Sequence, residues 1–593
     1  MRQTRKTGPL VITIAIAVAT ALLYGWRLQD APIYVSPDEA IISVDAHSLA
    51  STGYDVHGRF LPLYFQVQLP GETRMGWFTP AIFYLSALVF KVLPFSEAAI
   101  RVPTVLVAVA DVVLISFIGR RLFRRESSAI LASVLLATTP AHFILGRYAL
   151  DYLYPLPFVL GWLLCLLVFL DTERIGWLVA AGFVLGVGFF SYIAAVVMMP
   201  IYLLVTCAMV SRTREPLRRC AAAAAGFAVP LVMLVPWLVR HPTAVADTID
   251  RYALYDTRSL NALQGARALL SYPSLERLAA SYWSFFSPSF LFFSGDKQMT
   301  FSTRSVGVFL FPIAVLLVLG IRYVLGETKR PAARLVLIGF ATAPAAALLG
   351  SEEGVVTRAV ELLPFAVLLA MFGAEYLWSA PIRTASRALL LRAGAALAIV
   401  AIAYGGWTAV SRARVGGSAV ALGVLGAGLL IAATLSGRVP VGRLAACCLL
   451  VWVPLQFSSF GSDYFGDYRL RSSTWLGGNL RGALEDLIEM ERRDHTPRIY
   501  FSTLASTAGL MDIRNRWMGT YWQFYLIKHR RQELLDRTAP LDLAQVRAIP
   551  SGSLVLANVG EVNTESLVRA GDLKQVRLVP EVSGPPFFAI LKR

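Results

Sequence analysis

Apolar blocks of about twenty residues, divided by short arginine clusters, follow one another from residue 9 to residue 458. A bilayer core of roughly 30 Å asks a helix for blocks of that length. The blocks lack the two-residue alternation of barrel strands, which excludes a β-barrel. Composition agrees. Of 593 residues 56% are hydrophobic and 16% charged, with mean hydropathy +0.60. Soluble domains carry about 25% charged residues. A soluble enzyme, a coiled coil and a disordered chain are therefore excluded. The net charge of +17 does not point to nucleic acid, because the basic residues sit in short loops between blocks, as cytoplasmic loops do. The five cysteines, Cys165, Cys207, Cys220, Cys447 and Cys448, lie in or beside the blocks. They read as small buried hydrophobes, not as a disulfide framework or a zinc pair.

Alternating sides and checking each against Arg and Lys gives about 13 transmembrane helices. The first, 9–27, reads as an uncleaved span, since its apolar run continues past Ala17-Val18-Ala19 to Tyr24. The loop 28–79 has six acids (Asp30, Asp38, Glu39, Asp45, Asp55, Glu72) and two bases (Arg59, Arg74), which places it outside. The run 80–95 is short and contains Lys91, so it reads as an interfacial helix. The further spans are 103–120, 128–146, 154–170, 176–190, 192–210, 220–239, 305–323, 335–350, 359–379, 393–410, 417–435 and 443–458, with a long outer loop at 240–303. Every basic cluster but Arg412 and Arg414 then falls inside. The polar tail, 459–593, reads as a small α/β domain outside the membrane. Its expected helix is Gly478–Arg493, and its expected strands are Arg498–Ser502, Ser553–Ala557, Gln575–Leu578 and Pro586–Leu591. The expected fold is a polytopic α-helical membrane protein with a transmembrane domain 1–458 and an extracytoplasmic domain 459–593.

There is no phosphate-binding glycine loop, no HExxH, no G-x-S-x-G and no D-x-D. Gly182, Gly186 and Gly188, like Gly423, Gly426 and Gly428, read as close-packing positions between helices. Ser36-Pro37-Asp38-Glu39 is the informative stretch. It reads as a helix start, with Ser36 as N-cap, Pro37 in the first turn and Glu39 closing a capping box, the helix ending at Gly53. Asp38 is then an ionised carboxylate beside the membrane, a functional candidate by default. Asp151, four residues past Arg147, is the second acid on the same face, and the two could form a surface salt bridge of little value. Asp111 lies mid-span and reads as a hydrogen bond within the bundle. Arg59, Arg74, Arg101, Arg147, Lys297, Arg304 and Arg358 project to the outer face. Arg101 and Arg358 begin spans, where a guanidinium fork suits a lipid phosphate.

Three stretches carry a resemblance: Asp38-Glu39-Ala40; Thr79-Pro80-Ala81-Ile82-Phe83-Tyr84 through Ser96-Glu97-Ala98-Ala99-Ile100-Arg101-Val102-Pro103 to Gly119-Arg120-Arg121-Leu122-Phe123; and Gly146-Arg147-Tyr148-Ala149-Leu150-Asp151. In their order and spacing the chain resembles the GT-C lipid-carrier-dependent glycosyltransferases of family 39, which include lipid A aminoarabinose transferases and protein O-mannosyltransferases. It departs from them at Thr79-Pro80, where Pro-Pro is usual. The resemblance implies an enzyme of the bacterial inner membrane with its active site toward the periplasm. The donor would be a sugar on a polyprenyl phosphate, and the acceptor a hydroxyl of a glycolipid, glycan or protein. By the same resemblance Asp38 would be the general base of an inverting transfer, Glu39 and Asp151 would orient the acceptor, and Arg101, Arg358, Arg304 and Arg147 would meet the donor phosphate. Relatives with and without a divalent metal exist, and the acids here permit either. The alternatives are a lipid or glycan flippase and a non-catalytic assembly protein. A transporter should show two repeated halves with interrupted helices, and only Asp111 is clearly mid-span.

Overall fold

The computed structural model describes residues 7–68, 75–251, 259–269, 271–327, 330–349, 354–379, 387–412, 417–434, 441–502, 510–560 and 564–593. Glu72, Arg74 and Arg414 lie outside them. The chain forms two compact units. One comprises Met1–Trp26, Thr104–Gly146 and Asp151–Tyr464, the other Arg27–Pro103, Arg147–Leu150 and Phe465–Arg593. The second unit thus takes in the first loop and the interfacial helix together with the tail, a partition different from a cut at residue 458.

The first unit is helical. Among the described residues five helices are long and apolar enough to cross a membrane: Ala99–Phe123, Asp151–Thr172, Pro331–Leu348, Leu362–Ser379 and Gly442–Phe465. A sixth span results if the pair Pro216–Leu231 and Leu234–Arg240, bent by 46°, counts as one. Length alone therefore does not reproduce thirteen spans. Several expected crossings are shorter apolar helices, among them Glu126–Ala137, Gly176–Gly188 and Ala195–Val210. Proline accounts for some breaks. Pro140 opens a separate helix after Thr139, and Pro230 sits at the 46° bend.

Close packing within this unit follows the glycines. A Cβ on Gly182 would lie 1.9 Å from the carbonyl oxygen of Ala223, and one on Gly186 would lie 2.4 Å from that of Phe227. Gly428 would meet Cys448 Sγ at 2.4 Å. Cys207 and Cys220, expected as separate hydrophobes, are joined in a disulfide between helices Ala195–Val210 and Pro216–Leu231, their Cα atoms 5.0 Å apart. Their place in apolar blocks made them look like packing residues, and spacing along the chain could not show the pairing.

Asp111 makes the expected bundle hydrogen bond. Its Oδ2 lies 3.2 Å from His142 Nε2, and His142 Nδ1 lies 2.6 Å from Tyr24 Oη. Tyr24 has a single proton, which it donates to the carbonyl of Ala137 at 3.1 Å.

The second unit contains both sheets. β1 (Phe65–Gln68) and β2 (Met75–Phe78) form an antiparallel pair. In the tail are β3 (Ile499–Ser502), β4 (Thr538–Leu541), β5 (Leu554–Asn558), β6 (Lys574–Leu578) and β7 (Phe588–Lys592). They line up as β4-β3-β5-β7-β6, with β3 parallel to β4 and β5, and β7 antiparallel to β5 and β6. Alternate side chains fill opposite faces. Ile499, Leu554, Leu556 and Ile590 join the core built by helix Leu480–Asp494, whereas Tyr500, Val555, Ala557 and Leu591 pack with Leu541, Leu543 and Val546. Four strands fall where alternation predicts them. β4 escapes notice because Thr-Ala-Pro-Leu has no clear pattern and a proline, which an edge strand tolerates. The first core also holds Val35, Ala40, Val44, Ile100 and Ala149, so the loop and the tail share one hydrophobic interior.

The short run after Thr79 forms the helix Ala81–Phe90. Ten residues at 1.5 Å each span only about 15 Å, too little to cross a bilayer.

Candidate functional site

Ser36 begins helix Pro37–Thr52 with the full capping box, and Gly53, at φ 80°, ends it. The Glu39 N–H donates to Ser36 Oγ at 3.3 Å, and the Ser36 N–H donates to Glu39 Oε2 at 2.8 Å. Glu39 does more than cap. It is completely buried, and its Oε1 accepts the Ala149 N–H at 2.8 Å and Arg101 Nε at 3.0 Å.

Arg101 is 1% exposed. Its remaining donors reach the carbonyls of Leu28 at 2.8 Å, Pro32 at 2.9 Å and Tyr34 at 2.9 Å, and Glu39 Oε2 at 3.4 Å. A guanidinium has five N–H groups, and all are used. Arg147 is also fully buried and donates to the carbonyls of Ala31 at 2.7 Å and Arg27 at 3.1 Å, with its guanidinium 5.0 Å from the Phe465 ring centre. The two arginines therefore pin the segment that leads into the Ser36 cap. Arg101 and Arg147, expected to meet a phosphate, thus donate to backbone carbonyls, and Glu39, expected to orient the acceptor, accepts from Arg101. A buried segment with no regular structure leaves carbonyls that need donors, and these three residues supply and balance them. Asp38 precedes Glu39 in the first helical turn and is half-buried.

The other candidates belong to the first unit. Asp151 opens the turn Asp151–Leu153, which packs against the turn Val356–Arg358. Asp151 is 7% exposed and Arg147 fully buried, so the surface salt bridge expected of them does not describe either. Arg358 Nη1 donates to Tyr192 Oη at 3.0 Å. The Tyr152 ring stands edge-on to Tyr192 at 5.5 Å and to Phe301 at 5.3 Å. Arg304 is exposed, at φ 59°, and donates to the Asp296 carbonyl at 2.9 Å. Asp296 binds the N–H of Val356 at 2.6 Å and of Gln298 at 2.8 Å. The structure thus groups Asp151, Arg304 and Arg358 in one unit, and Asp38, Glu39, Arg101 and Arg147 in the other. Arg59 is taken up by Asp55, 2.6 Å away.

Sequence reasoning missed Asp296, Tyr192, Glu361 and Glu97. Glu97 lies in one of the recognised stretches, yet its partners are remote in sequence: Arg481 at 2.6 Å, Tyr525 at 3.1 Å and Lys528 at 3.1 Å. Glu361 is fully buried, with neither carboxylate oxygen hydrogen-bonded among the described residues. A charged pair, Asp296-Lys297, directly after an aromatic run was the available signal for Asp296. Among the described residues no group of three or more His, Cys, Asp or Glu is arranged to hold a metal ion.

Asp45 gives a pH prediction. It is 3% exposed, and burial, aided by the charge of Asp55, pushes its carboxyl up to about 6. A raised carboxyl favours the folded state below its unfolded value near 3.8, and that contribution is lost as pH rises through about 6. Asp45→Asn should therefore stabilise the protein by on the order of 2 kcal/mol at pH 8 and by little at pH 4. Unfolding in detergent at both pH values measures the difference.

Residues 78–239 match the model of the dolichyl-phosphate-mannose-protein mannosyltransferase family. Over the whole chain the structure matches ArnT from Cupriavidus metallidurans bound to undecaprenyl phosphate, at TM-score 0.54 and 15% identity, covering 99% of this chain and 98% of that one. The chain shares the fold of ArnT. The apo form of that protein matches at TM-score 0.53 and 14% identity, over 99% and 98% of the two chains. No curated protein matches by sequence. The resemblance read from the three stretches between Asp38 and Asp151 thus extends in fold to nearly the full length. With its apolar spans and this shared fold the chain is a multi-pass membrane protein.

Proposed function

We propose that this protein is a glycosyltransferase that moves a sugar from a polyprenyl phosphate to an acceptor hydroxyl on the periplasmic face of a bacterial inner membrane. The observation that carries the reading is the frame around Asp38. A half-buried carboxylate opens a helix whose next residue is locked by the Glu39–Arg101 pair. Such a carboxylate stands on a fixed helical turn, as a general base must. The fold shared with ArnT, a protein solved with undecaprenyl phosphate, supports the donor class.

In the proposed reaction the acceptor oxygen attacks the anomeric carbon as Asp38 takes the hydroxyl proton. The bond from that carbon to the phosphate oxygen breaks, and its electron pair leaves with polyprenyl phosphate. One displacement inverts the anomeric centre. The leaving phosphate needs positive charge rather than a proton. Around Asp38 itself, Arg101, Arg147 and Glu39 are proposed as the positioning residues. The displacement is the same for a hexose and for a pentose.

The test is transfer by purified protein from polyprenyl-phosphate sugars. Asp38→Asn should lower the rate about 10²–10⁴-fold and leave the unfolding midpoint in place. Wild-type rates in the variant would remove Asp38 from the mechanism. No transfer by the wild type from any carrier-linked sugar would return the flippase reading.

A further inference from the structure

We propose that the first unit holds a second lipid site, for the phosphate head and chain of an anionic lipid, at the arginine-rich ends of its spans. A cavity of about 490 Å³ is lined by Arg121, Arg124 and Arg330, with Asp171 and Glu375 as its acids. A second cavity, of about 300 Å³, shares Phe123 and Glu375 with the first. Its lining is mostly apolar, with Leu131, Met371, Trp378 and Leu450, and Arg125 is its cation.

The location indicates the ligand class. Ala99–Phe123 and Asp151–Thr172 end at the first cavity, Pro331–Leu348 begins there, and Leu362–Ser379 passes it near its end. Gly442–Phe465 contributes Ala446 and Leu450 to the second. All five of these spans therefore line the two cavities, each close to one of its ends. A small soluble anion would need only the polar cavity. The apolar cavity beside it suits a hydrocarbon chain.

The charges favour a phosphate. Four guanidinium groups face two carboxylates. Arg121 is paired with Asp171 at 2.9 Å, and Arg330 is 4.0 Å from Glu375, too long for a hydrogen bond. Arg124 is exposed, at φ 55°. Helix Pro331–Thr342 opens at the cavity, and its positive end adds to the attraction. Trp378 carries the Arg443 guanidinium 5.5 Å from its ring centre, an arrangement suited to the interfacial belt. The site differs from the Asp38 and Arg358 groups in every residue, so it stands without the proposed transfer.

The test is native mass spectrometry of the full chain released from micelles with phosphatidylglycerol, phosphatidylcholine, farnesyl phosphate or inorganic phosphate. The wild type should retain one phosphatidylglycerol or farnesyl phosphate at least about tenfold more strongly than phosphatidylcholine. Comparison of those two names the source of the phosphate. The double variant Arg124→Gln/Arg330→Gln should lose that preference. Leu131→Trp, which fills the apolar cavity, should weaken both lipids while leaving the arginines intact. Equal retention of phosphatidylcholine, or an unchanged preference in both variants, would overturn the proposal. So would inorganic phosphate displacing the lipid at equal concentration, since the apolar cavity would then contribute nothing.

Discussion

Arg101→Met is expected to destabilise the protein by about 3–5 kcal/mol, the cost of leaving one partner of a buried pair alone. Glu39 would lose its guanidinium partner in a site with no exposure, and the carbonyls of Leu28, Pro32 and Tyr34 would lose their donors. Each unsatisfied buried group adds to the loss. Arg101→Lys should recover only part, because an ammonium has three donors and no planar fork. Glu39→Gln beside Arg101→Met should be less damaging than the sum of the single changes, by about 1–3 kcal/mol. Chemical unfolding of the four proteins in detergent measures this. The result also decides Arg101's role. If the side chain met a donor phosphate, Arg101→Lys would keep wild-type stability and raise KM. As a positioning residue it should instead lower the midpoint and, at temperatures where the variant stays folded, reduce kcat as Asp38 loses its frame.

The second large effect is expected at Gly373. Helices Phe311–Gly326 and Leu362–Ser379 meet backbone to backbone. A Cβ on Gly373 would stand 1.9 Å from the Leu316 carbonyl oxygen, and one on Gly320 would stand 1.8 Å from that of Leu369. Neither obstacle is a side chain that can rotate away. Gly373→Val must therefore separate the helices, at a cost of about 3 kcal/mol or more. Gly406 supplies the contrast, since nothing lies within 4 Å of its added Cβ. Gly406→Ala should be neutral or stabilise helix Arg387–Arg412 by up to about 1 kcal/mol. Equal destabilisation at both positions would mean that backbone contact is not what holds the first pair.

Local signals were legible where one short stretch contains both cause and effect. The Ser36 cap, its Glu39 partner and the Gly53 stop follow from residues three apart and from one left-handed position. Alternation gave four tail strands, and small residues gave the close helix contacts at Gly182 and Gly186. The site was less legible. Arg101 and Arg147 stand where a phosphate ligand would, and their residue type suits one. Only folding reveals that the segment around Arg27–Tyr34 needs their hydrogen bonds. Glu97 meets Arg481 and Lys528 from 384 and 431 residues away, pairings that spacing cannot suggest.

The sequence by itself determined that this chain lives in a membrane, because hydropathy acts residue by residue and needs no partner. It also determined where helix Pro37–Thr52 begins, because a cap is a contact between near neighbours. The tertiary structure alone decided which charges are spent and which face outward. A buried charge persists only with a partner brought from elsewhere in the chain, and it is the fold that chooses the partner.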